Sequence, residues 1–100
     1  MKKAFEEVVN LAKLENKNIA EKTCKLSEEA LELIQAINKS IGMKRTDQTK
    51  EEILDEIKEE VSDVIQNAFC IANHYNISYD EIISTIYRKN KKWKKRIDLK

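Results

Sequence analysis

The chain has 100 residues, enough for one hydrophobic core and no second one, and its 41% apolar and 37% charged residues describe a foldable chain with much surface to wet. One Gly and no Pro exclude the glycine-rich loops that cradle phosphates by close backbone approach, so a bound phosphate must be held by side chains and metal. With 19 Lys and Arg against 18 Asp and Glu, the net charge of +1 supplies no global field to recruit nucleic acid or an anionic membrane.

Apolar residues recur at helical spacing almost throughout, and the punctuation divides the chain into four segments. The first, about Lys2 to Glu15, carries Phe5, Val8, Val9 and Ala12 on one face. The second follows Asn18, an N-cap with Glu21 three residues on, and runs to about Ser40 with the stripe Leu26, Ala30, Leu33, Ile34, Ile37, Ile41. A polar loop from Gly42 to Gln48 leads to Thr49 and Glu52 at capping-box spacing. They open a long helix to about Tyr75 with the stripe Ile53, Ile57, Val61, Val64, Ala68, Ile71, Tyr75. Ser78 and Glu81 form another capping box, followed by Ile82, Ile83, Ile86, Trp93 and Ile97. The pattern predicts an all-α fold, a four-to-five-helix antiparallel bundle forming a single domain over residues 1–100.

Leu31 and Phe69 point away from these stripes, which predicts a second apolar surface and a homodimer or homotetramer; a few exposed apolar residues on a monomer is the plainer alternative. Tyr75 and Trp93 are expected in the core, and Asn90, falling between Ile86 and Trp93, as a buried amide with partners. Cys24 and Cys70 lie far apart without CxxC spacing or a histidine cluster, which argues against zinc or a disulfide and predicts buried thiols. Glu6 and Glu7 interrupt what would be a signal peptide, and no stretch approaches the ~18 apolar residues of a membrane span, so a cytoplasmic protein with no membrane partner is expected.

Two pairs of acids carry the chemistry. Glu29 and Glu32 lie roughly 60° apart at one edge of their apolar stripe, at about 100° of helix per residue. Glu60 and Asp63 repeat the spacing on the same side of the next stripe, whereas Glu28 and Glu59 point to solvent. Where the two helices pack, four carboxylates converge and repel unless neutralised. An all-oxygen donor set suits Mg2+ or Mn2+ and not zinc. The competing reading is a solvated acidic face making weak helical ion pairs, which one such motif alone would deserve and which two in matching phase weaken without removing. Glu56 and Asn67 share this face as supporting groups, Asn67 also as a ligand contact. His74 lies almost three turns beyond Asp63 and is expected at the surface or as a cap. Arg88 to Arg96 reads RKNKKWKKR, explained either by a nucleic-acid patch or by cations placed at a helix C-terminus.

Glu28-Glu29-Ala30-Leu31-Glu32 and Glu59-Glu60-Val61-Ser62-Asp63, with 27 residues between Glu32 and Glu60, match an ExxE and ExxD pattern. Asn90-Lys91-Lys92-Trp93-Lys94-Lys95-Arg96 is similar to an NxKFxxR-like closing helix, with Trp93 where Phe is usual. In these three ordered motifs, over roughly Ala20 to Arg96, the chain resembles the MazG-like members of the all-α nucleoside triphosphate pyrophosphohydrolase superfamily. The resemblance implies that Glu29, Glu32, Glu60 and Asp63 bind Mg2+ as the catalytic acids. It also implies that Lys92 and Arg96 contact a nucleoside triphosphate, with Asn90 near the nucleotide, and that the bond cut lies between the α and β phosphates. Nucleotide-pool house-cleaning is the role it suggests, with no stable nucleic-acid partner. The segment KLSEEALELI is also similar to phosphoribosyl-ATP pyrophosphohydrolases, a second enzymatic reading; a non-catalytic nucleotide-binding helical oligomer is a third.

Overall fold

The computed structural model describes residues 1–99 and folds them into four helices: α1 (Lys2–Glu15), α2 (Ile19–Ser40), α3 (Lys50–His74) and α4 (Tyr79–Asp98). The chain is all-α, as the periodicity predicts. Local chemistry sets each boundary. Asn18, Thr49 and Ser78 accept hydrogen bonds from the backbone N–H groups of Glu21, Glu52 and Glu81, and those glutamates accept in return from the cap N–H groups, closing three reciprocal capping boxes. α1 ends on Asn16, and Asn76 follows the Tyr75 cap of α3; both asparagines lie in the left-handed region with φ of 53° and 57°. The single glycine, Gly42 at φ 77°, ends α2. After α2 and α3 the next N–H groups fold back, Met43 onto the Asn38 carbonyl at 2.8 Å and Ile77 onto the Ala72 carbonyl at 2.9 Å, satisfying carbonyls the helices leave open.

α2 and α3 form the main helix pair and run antiparallel: Lys39, late in α2, pairs with Glu56 early in α3, while Lys25, early in α2, stands near Asp63. α1 lies along the other side of α3, where Phe5 meets Phe69 edge to face with ring centroids 5.0 Å apart and also touches Tyr79. The core consists of Phe5, Ala12, Ala36, Ile53, Phe69 and Ala72, with half-buried Leu26, Leu33, Val64 and Ile71 around it.

Several packing expectations are corrected here. Phe69 is 9% exposed and belongs to the α1–α3 contact, not to a free surface; the face off the α2-facing stripe is used by a third helix. Leu31 does remain exposed, at 55%. Trp93 and Asn90 are exposed, because α4 buries none of its residues and its apolar positions past Ile83 are exposed among the described residues; Tyr75 is exposed too, at the cap that follows the last turn of α3. Cys24 is exposed and Cys70 half-buried; both thiols are free. The Cα radius of gyration, 16.4 Å, exceeds the ~13 Å of a compact 100-residue domain, consistent with a helix extending past the other three.

Candidate metal centre and adjoining cleft

The antiparallel α2–α3 packing sets the middle of α2 against the middle of α3, and the acids at the stripe edges meet there. Glu29, Glu60 and Asp63 each place one carboxylate oxygen within 4.8 Å of the others. Glu29 is 5% exposed, an unusual position for a charged side chain. One of its oxygens accepts from Lys25 Nζ at 2.8 Å; the other, Oε2, is buried without a hydrogen-bond partner, as is Oε2 of Glu60. Two orphaned carboxylate oxygens on neighbouring members of one acidic cluster are what a divalent cation would satisfy, so the donor set fits a hard metal ion.

The proton affinities respond to this crowding. Loss of water raises Glu60 to about 7, and the charges of Glu32 and Glu29 add to the effect. Asp63 is raised by burial and then by Glu29. Glu29 moves the other way, because the Lys25 ammonium holds its carboxylate in the charged form. Glu32 is exposed and lies beside Glu60, at the open rim of the trio.

The remaining predicted site residues divide. Asn67 is adjacent: its side-chain amide donates to the Asp63 backbone carbonyl at 2.8 Å, one turn back on α3. Glu56 is taken up elsewhere, accepting from Lys39 at 3.0 Å in a bridge that also draws in Gln48. His74 is exposed against Tyr75 and stands outside the acid trio. Asn90, Lys92 and Arg96 are exposed on α4, and none makes a side-chain hydrogen bond or ion pair among the described residues.

The two acid motifs and the closing-helix motif do not include Lys25, which only opens the segment KLSEEALELI, and none of them points to the cleft beside it. A hollow of about 210 Å³ opens between α1, α2 and α3, with Val8, Leu11 and Ala12 on its apolar wall and Lys22, Lys25 and Asn67 toward the carboxylates. The one signal for Lys25 is its place four residues before Glu29 on the same helix face. The cleft has no such signal, since it depends on how α1 docks. At this volume, below the roughly 300–1,000 Å³ of pockets that enclose a whole small molecule, it suits one moiety of a larger ligand.

A family model for the MazG nucleotide pyrophosphohydrolase domain matches residues 15–97. The chain belongs to the MazG family. Comparison with curated proteins and with solved structures gives no significant match. The MazG segment contains the acid trio, Glu32, Asn67 and the α4 cations, whereas Val8, Leu11 and Ala12 of the cleft wall precede it. MazG proteins are generally metal-dependent, in keeping with the acid cluster. Among the described residues no helix is long and apolar enough to cross a membrane.

Proposed function

We propose that residues 1–100 act as one MazG-like catalytic domain, a Mg2+-dependent nucleoside triphosphate pyrophosphohydrolase with Mn2+ as an alternative ion. Water opens the anhydride between the α and β phosphates, and the products are a nucleoside monophosphate and pyrophosphate. The observation that carries this reading is the buried Glu29, with an orphaned Oε2, beside Glu60 and Asp63 within a segment matching nucleotide pyrophosphohydrolases.

In this reading Glu29, Glu60 and Asp63 would hold the metal, and Glu32 would complete the set from the rim. When bound, the ion would supply Lewis-acid stabilisation of phosphoryl charge and lower the pKa of a coordinated water. The protein's own part is positioning and charge. Burial of Glu29 fixes one donor, and the Asn67 amide, donating to the Asp63 backbone carbonyl, ties the cleft wall to the acid-bearing turn of α3. Lys22 and Lys25 screen the polyphosphate from the cleft side. Asn90, Lys92 and Arg96 are assigned to the nucleotide and its phosphates, which they reach in a homodimer or homotetramer. The exposed apolar positions Ile86, Trp93 and Ile97 on α4, with Leu31 and Ile34 on α2, support such an assembly.

Incubation with a panel of ribo- and deoxyribonucleoside triphosphates and phosphoribosyl-ATP in the presence of Mg2+, with pyrophosphate and orthophosphate measured separately, tests the reading. Pyrophosphate from at least one nucleoside triphosphate is the expected result. Turnover of phosphoribosyl-ATP alone would move the chain to the histidine-biosynthetic reaction, and no turnover with retained nucleotide binding would favour a non-catalytic binder.

A further inference from the structure

One cation stands among the acids. Lys25 Nζ lies 2.8 Å from Glu29 Oε1 and 4.0 Å from Glu28, and its side chain also lines the cleft that Lys22 and Asn67 share. It therefore sits on the boundary between the acids and the hollow next to them. Glu29 has no comparable freedom, being 5% exposed, whereas the Lys25 side chain is 48% exposed on a flexible stem. Of the two partners, the lysine is the one that can leave. An ammonium on Glu29 neutralises part of the acid cluster and repels any divalent cation that approaches the same carboxylate.

We propose that Lys25 is a resident counter-cation of the carboxylate site, displaced from Glu29 by the incoming metal, and that its ammonium then turns into the cleft beside Lys22 to meet substrate phosphate. This rests on the metal-dependent reading of the acids and deepens it by giving Lys25 two successive partners. The exchange conserves charge pairing: the metal takes over Glu29, and the polyphosphate that accompanies the metal takes over the ammonium. Lys22 forms no ion pair among the described residues and faces the same hollow, so the moved ammonium would join a second cation there. Lys25 is thus a positioning residue toward the metal and a binding residue toward phosphate.

The test uses Mn2+ alone and inorganic tripolyphosphate with saturating Mg2+ as probes, on the full chain and its Lys25→Gln, Lys22→Gln and Glu29→Gln variants, with helicity checked by circular dichroism. Removing the competing ammonium should tighten Mn2+ binding by Lys25→Gln roughly two- to fivefold, the competition that a half-exposed ion pair can exert. The same variant should bind tripolyphosphate more weakly. Lys22→Gln controls for a general change in field: it should weaken tripolyphosphate binding and change Mn2+ affinity less than Lys25→Gln does. Unchanged or weaker Mn2+ binding by Lys25→Gln would overturn the exchange, because Lys25 would then orient Glu29 without competing for it. Tripolyphosphate affinity unaffected in Lys25→Gln would overturn the move into the cleft. The metal reading itself fails on a different result, wild-type and Glu29→Gln chains that both fail to bind Mn2+, so the two failures are distinguishable.

Discussion

Truncating Phe69 to alanine discriminates between a core and an interface role for the α1-facing side of α3. Phe69 and Phe5 are 9% and 7% exposed, with rings edge to face at 5.0 Å and 86°. Loss of a buried phenylalanine ring costs about 3–5 kcal/mol, and about 0.5–1.5 kcal/mol of that reflects the aromatic pairing itself. In a domain of this size each kcal/mol lowers Tm by about 4–8 °C, so even the lower cost implies a fall of roughly 12–24 °C. Circular dichroism melts of wild type and Phe69→Ala at two protein concentrations tenfold apart supply the measurement. A core contact within one chain gives the same large difference at both concentrations. A drop under about 5 °C, or one that changes strongly on dilution, would refute the intrachain assignment and return Phe69 to an interface.

Other expectations follow from the same geometry. Glu32→Gln and Asp63→Asn should abolish pyrophosphate release with helicity near wild type, whereas Glu28→Gln, exposed to solvent, should be mild; equal damage at Glu28 and Glu32 would mean the helix face is misassigned. Glu60 keeps its proton to about 7 in the folded chain but to about 4.5 when unfolded, so the folded state binds more protons between these values. Stability of the metal-free protein should therefore fall as pH rises through that window, and the Tm difference between Glu60→Gln and wild type should grow in the variant's favour; a constant difference from about pH 5 to about pH 7.5 would contradict it. Because Leu31 remains exposed, Leu31→Glu should leave the single-chain fold intact and lower the mass seen by light scattering coupled to size exclusion; a wild-type mass of one chain, with full activity, would remove the assembly.

The capping residues show which parts of this fold are legible in the amino-acid sequence alone. Asn18, Thr49 and Ser78, each with a glutamate three residues on, start helices where their side-chain chemistry says they must. The meeting of Glu29 with Glu60 and Asp63 is legible for a related reason: helical phase fixes which side of a stripe an acid occupies, and antiparallel packing brings like sides together. Periodicity does not reveal which partner a face finds. Phe69 is off the stripe facing α2 yet buried, because α1 uses that side, while Trp93 lies on a well-formed stripe yet is 59% exposed, because among the described residues α4 is covered only at its first turns, where Tyr79, Ile82 and Ile83 are half-buried. The cleft and its lysines are equally out of reach of periodicity, since their walls come from three helices and the α1 wall carries no motif.

Phosphorus-31 NMR of a nucleoside triphosphate incubated with the protein and Mg2+ tests the central claim most directly, because it reports which anhydride opens. Monophosphate and pyrophosphate signals should grow in equal amounts, stop growing in excess chelator and be absent with Asp63→Asn. A diphosphate with orthophosphate, or undiminished turnover in chelator, would contradict the claim.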